Sequence, residues 1–274
     1  MTEKPWVIAH RGNLYAGVEN SMEAIASAEA IGADGIEIDL RMGRDHTLVV
    51  FHDESLYRLS LGKDQRKIRE MTIEEIRNVR IPCEGNILGS FPEHGYPDEG
   101  MVFLPQYRTG KKTGSAQILT FEELCRWMSG TRTSFFAEVE FKETGLMESC
   151  VSLIQKYGLG KRCILFSGVR EQAEEIQQYF RTYGNPDGIR AGANIRYLYP
   201  DTRAWIRNMD LYEVGLNGGA FTAEETEELK QKGIRIFSNL LDVPSWWERL
   251  REVGAAGFKT NCAADAIRIL NQAQ

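Results

Sequence analysis

GIEIDLRMGRDHTLVVFHD, from Gly35 to Asp53, is the stretch that decides how this chain folds. GIEIDL reads as a strand in which Ile36 and Ile38 alternate with Glu37 and Asp39. If its apolar side packs on helices, both carboxylates point into a barrel or cleft. Only the residues RMGRDHT separate Leu40 from Leu48. A parallel crossover needs a dozen or more, so LVVF returns as the second arm of a hairpin. Its end carries His52 back to the level of the carboxylates.

Outward from this hairpin the chain becomes regular. Upstream, PWVIAH is a buried strand ending at His10. SMEAIASAEAIG is a helix with Asn20 as N-cap, Glu23 in capping-box position and Gly32 at its end. Downstream, TIEEIRNV is a short helix with a capping box at Thr72 and Glu75. Arg80 to Gln117 is irregular and rich in Gly, Pro and charge, which predicts a lid, a binding insertion or a small subdomain overhanging the site. Beyond it SFFAEVEF, RCILFS, AGANIR, LYEVGLN, IRIFSN and GFKTN alternate with helical runs. Leaving the hairpin strand aside, about eight strands are each followed by a helix. That is the arithmetic of a (β/α)8 TIM barrel, one domain over residues 1–274, with a hairpin after its second strand and an inserted segment at 54–118. A doubly wound open sheet is the other arrangement, but no Gly-rich fingerprint follows any strand.

The totals narrow the function. A net charge of −6 over 274 residues argues against a nucleic-acid partner, which calls for a basic face. Cys83, Cys125, Cys150, Cys163 and Cys262 are scattered and include no C-x-x-C pair, so they read as reduced, mostly buried thiols. MTEKPWVIAH has no apolar leader, and no run approaches a membrane span. The expectation is a cytoplasmic protein without stable membrane insertion; the oligomeric state stays open.

Several acids share strand faces. Glu37 and Asp39 stand two apart on one strand, and Glu138, Glu140 and Lys142 do so on another. Carboxylates without a cysteine or a further histidine suit a hard cation, Mg2+ or Ca2+, better than zinc. The competing reading is surface acids on an edge strand. His10 and His52 both end strands beside the acid pair, where an imidazole serves acid/base chemistry. His46 and His94 lie in polar turns and read as surface groups. Arg11 adds a fixed positive charge with geometry suited to phosphate.

HRG, ENS, GADGIEIDL, TLVVFHDESLYR and EVEFK, in this order and spacing, resemble the glycerophosphodiester phosphodiesterase family. CILFSG and GAAGFKTN extend the likeness weakly to the end. The resemblance implies metal ligation by Glu37, Asp39 and Glu140, acid/base catalysis by His10 and His52, and phosphate contact from Arg11 and Lys142. Glu140, two residues before Lys142, matches the family's E-x-K; Glu138 takes a position often held by asparagine. It reads either as an extra acid facing the site or as the partner of an Arg or Lys. Glu19 and Asn20 are assigned to orienting the first loop. The implied reaction is hydrolysis of a small-molecule phosphodiester to glycerol 3-phosphate and an alcohol. It proceeds through a cyclic phosphate or by direct attack of water.

Departures from the family pattern fall elsewhere. Gly43 and His46 replace a threonine and a D-G turn, Phe237 and Ser238 a tryptophan–threonine pair, and Asn261 an aspartate. They bear on the alcohol half of the substrate. A second enzyme reading is a lysophospholipid-directed phosphodiesterase, with Phe91, Met101, Val102 and Phe103 of the insertion gripping an acyl chain. A third is a barrel that binds phosphorylated metabolites without turnover, against which the second histidine counts. Trp246 and Trp247 are either interface residues or buried anchors.

Overall fold

The computed structural model describes residues 4–83, 114–185 and 187–272. Its strands are β1 (Trp6–His10), β2 (Gly35–Met42), β3 (Leu48–Val50), β4 (Ile81–Pro82), β5 (Ser115–Ala116), β6 (Leu119–Thr120), β7 (Phe136–Phe141), β8 (Cys163–Phe166), β9 (Arg190–Arg196), β10 (Glu213–Leu216), β11 (Arg235–Ser238) and β12 (Gly257–Thr260). Its α-helices are α1 (Met22–Ala30), α2 (Ile73–Arg77), α3 (Phe121–Met128), α4 (Met147–Lys156), α5 (Arg170–Tyr183), α6 (Pro200–Ile206), α7 (Ala223–Gln231), α8 (Pro244–Glu252) and α9 (Ala263–Gln272).

Strands β1, β2 and β7 to β12 are parallel, and β1 pairs with both β2 and β12, so the sheet closes on itself. Eight parallel strands, closed and interleaved with helices, make a (β/α)8 barrel. The hairpin read from the sequence is present. β3 runs antiparallel on β2, with Leu40 opposite Val50 and Arg41 opposite Val49, and β6 extends it by one more antiparallel pairing.

Capping chemistry starts several helices. Thr72 with Glu75, Thr120 with Glu123 and Thr222 with Glu225 each form a reciprocal capping box. Helix α1 departs from expectation: Ser21, not Asn20, is its N-cap, accepting from the Ala24 amide. Asn20 sits at φ +59 and its side-chain amide is committed to Asp39, so it cannot also cap.

Two apolar shells hold the barrel. The outer one packs strand residues such as Val7, Ile36, Ile38, Val139 and Leu165 against the helices. The inner one plugs the amino end with Ile8, Phe136, Ile164 and Phe237. Gly257 makes room for that plug, because a Cβ there would lie 2.6 Å from the Phe237 ring. A third cluster lies beside the barrel, where Leu56, Leu59, Ile68, Met71 and Ile76 pack against Val49 and Phe51 of the hairpin arm. Each such aliphatic side chain contributes about 1.5–3 kcal/mol on full burial.

Trp247 is fully buried, stacked on Phe258 and donating its indole N–H to the Leu241 carbonyl at 2.8 Å. Trp246 is half-buried. His46 is exposed in the hairpin turn at φ +63. All five cysteines are buried and none is in a disulfide. Among the described residues no helix is long and apolar enough to cross a membrane. Phe91, His94, Met101, Val102 and Phe103, and most of the stretch expected to overhang the site, lie outside the described residues.

Candidate active site at the carboxyl end of the barrel

The strands bring the acids into register. Glu37 is opposite Glu138, Asp39 is opposite Glu140, and His10 is opposite Glu37. One oxygen from each of Glu37, Asp39 and Glu140 lies within 4.8 Å of the others. These carboxylates repel one another, and the protein offsets the repulsion with fixed cations. Lys142 Nζ is 3.0 Å from Asp39 and 2.8 Å from Glu140, and Arg11 Nε is 3.0 Å from Asp39. Asn20 Nδ2 donates to Asp39 at 2.8 Å.

The charges divide unequally. Burial opposes ionisation of Asp39, yet Arg11 and Lys142 hold its carboxyl well below the usual range. Burial, then Asp39 and Glu140, push Glu37 well above it. Glu37 Oε2 is buried and accepts no hydrogen bond among the described residues. A divalent cation fits this set: three hard oxygens converge, one of them unpartnered and disfavoured as an anion until a positive charge arrives.

Both histidines are held through Nδ1. His10 Nδ1 lies 2.8 Å from Asn261 Oδ1, and Asp242 fixes that amide by accepting from Asn261 Nδ2 at 2.8 Å. The amide oxygen only accepts, so Nδ1 carries the proton and Nε2, 3.8 Å from Glu37, is the basic nitrogen. His52 Nδ1 is 2.6 Å from Asp53 Oδ1, which likewise leaves Nε2 as the basic nitrogen. The Phe51 amide donates to the Asp39 carbonyl, which sets His52 just past the acid pair.

The loop after β1 is built for close approach. Gly12 has φ +93, and a Cβ there would lie 2.7 Å from the Ala24 backbone. Arg11 and Asn20 also adopt positive φ, strain that persists where the surroundings over-determine the conformation. Arg11 is 1 % exposed and ion-pairs with Glu19 at 2.9 Å. Burial works against its charge, but Asp39, Glu19 and Glu37 together hold its pKa above the ordinary arginine value.

His10, Arg11, Glu37, Glu140 and Lys142 share a cavity of about 270 Å3 with Asn194, Asn217 and Asn239 from the next strands. Five of the seven expected residues therefore line one barrel mouth; Asp39 pairs with two of them, Arg11 and Lys142, and His52 follows the Phe51 whose amide donates to the Asp39 carbonyl. Glu138 turns to a different partner: it ion-pairs with Lys259 at 2.7 Å, and both are buried. Sequence reading gave no role to Asp53, Arg58, Asp242 or Lys259. The H-D dipeptide marks Asp53; the others meet the site only through tertiary packing.

Against known proteins, the glycerophosphoryl diester phosphodiesterase family model matches residues 10–263. A glycerophosphodiester phosphodiesterase of Caldanaerobacter subterraneus subsp. tengcongensis is 24% identical over 280 residues, covering 98% of this chain and 99% of its own. A crystal structure of a putative glycerophosphoryl diester phosphodiesterase from Silicibacter pomeroyi superimposes with TM-score 0.80 at 18% identity, covering 98% and 94%. An Oleispira antarctica phosphodiesterase, solved with the product sn-glycerol-3-phosphate, gives TM-score 0.72 at 17% identity, covering 97% of both chains. The chain belongs to the glycerophosphoryl diester phosphodiesterase family of enzymes.

Proposed function

We propose that this chain hydrolyses glycerophosphodiesters to glycerol 3-phosphate and an alcohol, with one Mg2+ or Ca2+ held by Glu37, Asp39 and Glu140. The observation that carries this reading is one constellation. Three carboxylates converge within 4.8 Å, and His10 Nε2 lies 3.8 Å from one of them. His52 follows the Phe51 whose amide donates to the Asp39 carbonyl, and both histidines are tied down through Nδ1. The cation supplies Lewis-acid neutralisation of the phosphodiester oxygens.

The chain's own residues do the rest. Arg11 and Lys142 contact the phosphate and favour the charge that grows on it. One histidine enters neutral and its Nε2 takes the proton of the attacking oxygen; the other enters as the imidazolium and gives its Nε2 proton to the leaving alkoxide. Since neither Nδ1 can rotate into that role without breaking its bond to Asn261 or Asp53, both imidazoles stay aimed at the substrate. Residues 1–274 act as one domain, with 54–118 as an insertion in the barrel. Five buried cysteines outside any disulfide support a cytoplasmic location, and the phosphodiester chemistry supports a place in glycerol and lipid metabolism.

The test is turnover of metal-stripped protein on glycerophosphocholine and lysophosphatidylcholine, with Mg2+ or Ca2+ restored and both products quantified. Cation-dependent release of glycerol 3-phosphate is the expected result. Release of choline from the acylated substrate alone overturns the substrate assignment, and full turnover in chelator overturns the cation. A transient cyclic phosphate separates internal attack from attack by water.

A further inference from the structure

An unbroken line of ion-paired side chains joins His52 to the carboxylate of Asp39. Asp53, which accepts from His52, takes Arg58 Nε at 2.7 Å and Arg58 Nη2 at 3.1 Å. The same guanidinium forks onto Glu19, with Nη1 at 2.8 Å from Oε2 and Nη2 at 2.7 Å from Oε1. Glu19 Oε1 also accepts Arg11 Nη1 at 2.9 Å, and Arg11 Nε reaches Asp39 at 3.0 Å. Sign alternates along the whole line, from Asp53 through Arg58, Glu19 and Arg11 to Asp39.

Arg58 is the residue that joins the two halves. On one side it meets the carboxylate that orients a histidine, on the other the carboxylate that orients the buried guanidinium. A planar fork can hold two carboxylates in fixed relative positions, whereas an ammonium is a point charge. The backbone of Arg58 is itself pinned, because Leu56 and Leu59 on either side are fully or almost fully buried in the cluster beside the barrel. Glu19, 5 % exposed, would be a costly buried anion without its two arginines.

Resting on the phosphodiesterase reading above, we propose that Arg58, acting through Glu19 and Asp53, is a positioning residue of this site. It sets His52 and Arg11 in one register, so that the segment outside the barrel fixes both proton transfer and phosphate contact. Neither Arg58 nor Glu19 touches the reacting atoms in this role.

The experiment compares full-length, cation-loaded wild type with Arg58→Ala, Arg58→Lys and Glu19→Gln on glycerophosphocholine. It also records the 15N resonances of His52, which report its tautomer without turnover. Arg58→Ala should lower kcat/KM about 100-fold, the scale of a small misplacement, with kcat falling and KM rising together. Added guanidinium ion should restore part of that loss, and Arg58→Lys should not. Placed on a His52→Ala background, Arg58→Ala should raise KM and cost less kcat than it does in wild type, since only the path through Arg11 is left.

In wild type His52 should be a single Nδ1–H tautomer; in Arg58→Ala, a mixture. A folded Arg58→Ala with an unchanged tautomer and kcat/KM within about threefold of wild type overturns the proposal. If Arg58→Ala does not fold, Glu19→Gln decides by the same readouts, since it keeps the volume and removes one charge. Wild type that turns over no glycerophosphodiester sinks the substrate reading instead. The tautomer then settles the positioning role alone: a mixture in the variant supports it, and a single form overturns it.

Discussion

His10 Nδ1 and Asn261 Oδ1 lie 2.8 Å apart across 251 residues of sequence, the first strand meeting the turn after the last. Closure of the barrel makes this possible, since β1 and β12 are parallel neighbours with Ala9 opposite Thr260. Asp242 completes the arrangement by accepting from the Asn261 backbone and side chain, both at 2.8 Å. Asn261→Ala should therefore free the His10 ring and lower kcat about 10–100-fold, with KM little changed. Asn261→Asp keeps an acceptor but loses the Nδ2 donor to Asp242, so its activity should fall between that of Asn261→Ala and wild type. Steady-state kinetics on the two variants decides, and equal losses in both would rule out an orienting role for the amide.

His10→Ala and His52→Ala should each reduce kcat by about 10²–10⁴-fold, the range of general acid–base catalysis. The carboxylates proposed to hold the cation are other residues, so Mg2+ or Ca2+ affinity by calorimetry should stay within about twofold in both variants. Retained turnover in either variant would show that its imidazole does not transfer the proton.

Lys142 stands 3.0 Å from Asp39 and 2.8 Å from Glu140, so it would compete with the proposed cation for these carboxylates. Lys142→Met removes the single positive charge that faces both the triad and the phosphate. Cation binding should tighten while KM for the diester rises, a split that calorimetry and kinetics measure separately. Weaker cation binding in this variant would mean that Lys142 organises the triad rather than screening it.

Glu213 lies inside the barrel, where burial first and Glu138 second push its pKa well up; Lys259 only partly compensates. A carboxyl whose folded pKa is raised loses stability as pH climbs above its unfolded value, about 4.3. Glu213→Gln removes that loss. The variant should match wild type near pH 4 and exceed it increasingly as pH rises through the folded pKa, with no change beyond. Each kcal/mol gained should raise Tm by roughly 2–4 °C in a chain of this size. Thermal unfolding at pH 5 and pH 8 checks the sign, and a variant less stable at pH 8 would contradict it.

Local pattern was enough for the barrel and for the shared faces of its acids, while the roles of the seven site residues came from the family resemblance. The alternation of Ile36, Ile38 with Glu37, Asp39 has a period of two, and a strand's geometry turns that period into a face. The short link to Leu48 forced a hairpin, since chain length limits which strands can pair in parallel. The loop caps were less legible. Asn20 and Ser21 are both good capping residues, and only the nearby Asp39 carboxylate decided which one was spent elsewhere.

What sequence pattern could not decide is partnership between distant charges. Glu138 was open between an acid facing the site and a partner for a cation until barrel closure set Lys259 2.7 Å away. Arg58 sits on an exposed-looking polar stretch, and nothing in its spacing points to Glu19, 39 residues earlier. Residue type and period determine which face a side chain occupies, because they act within one element. Which opposite charge it meets there is set by strand order and closure, where the cost of burying a lone ion selects the pairing.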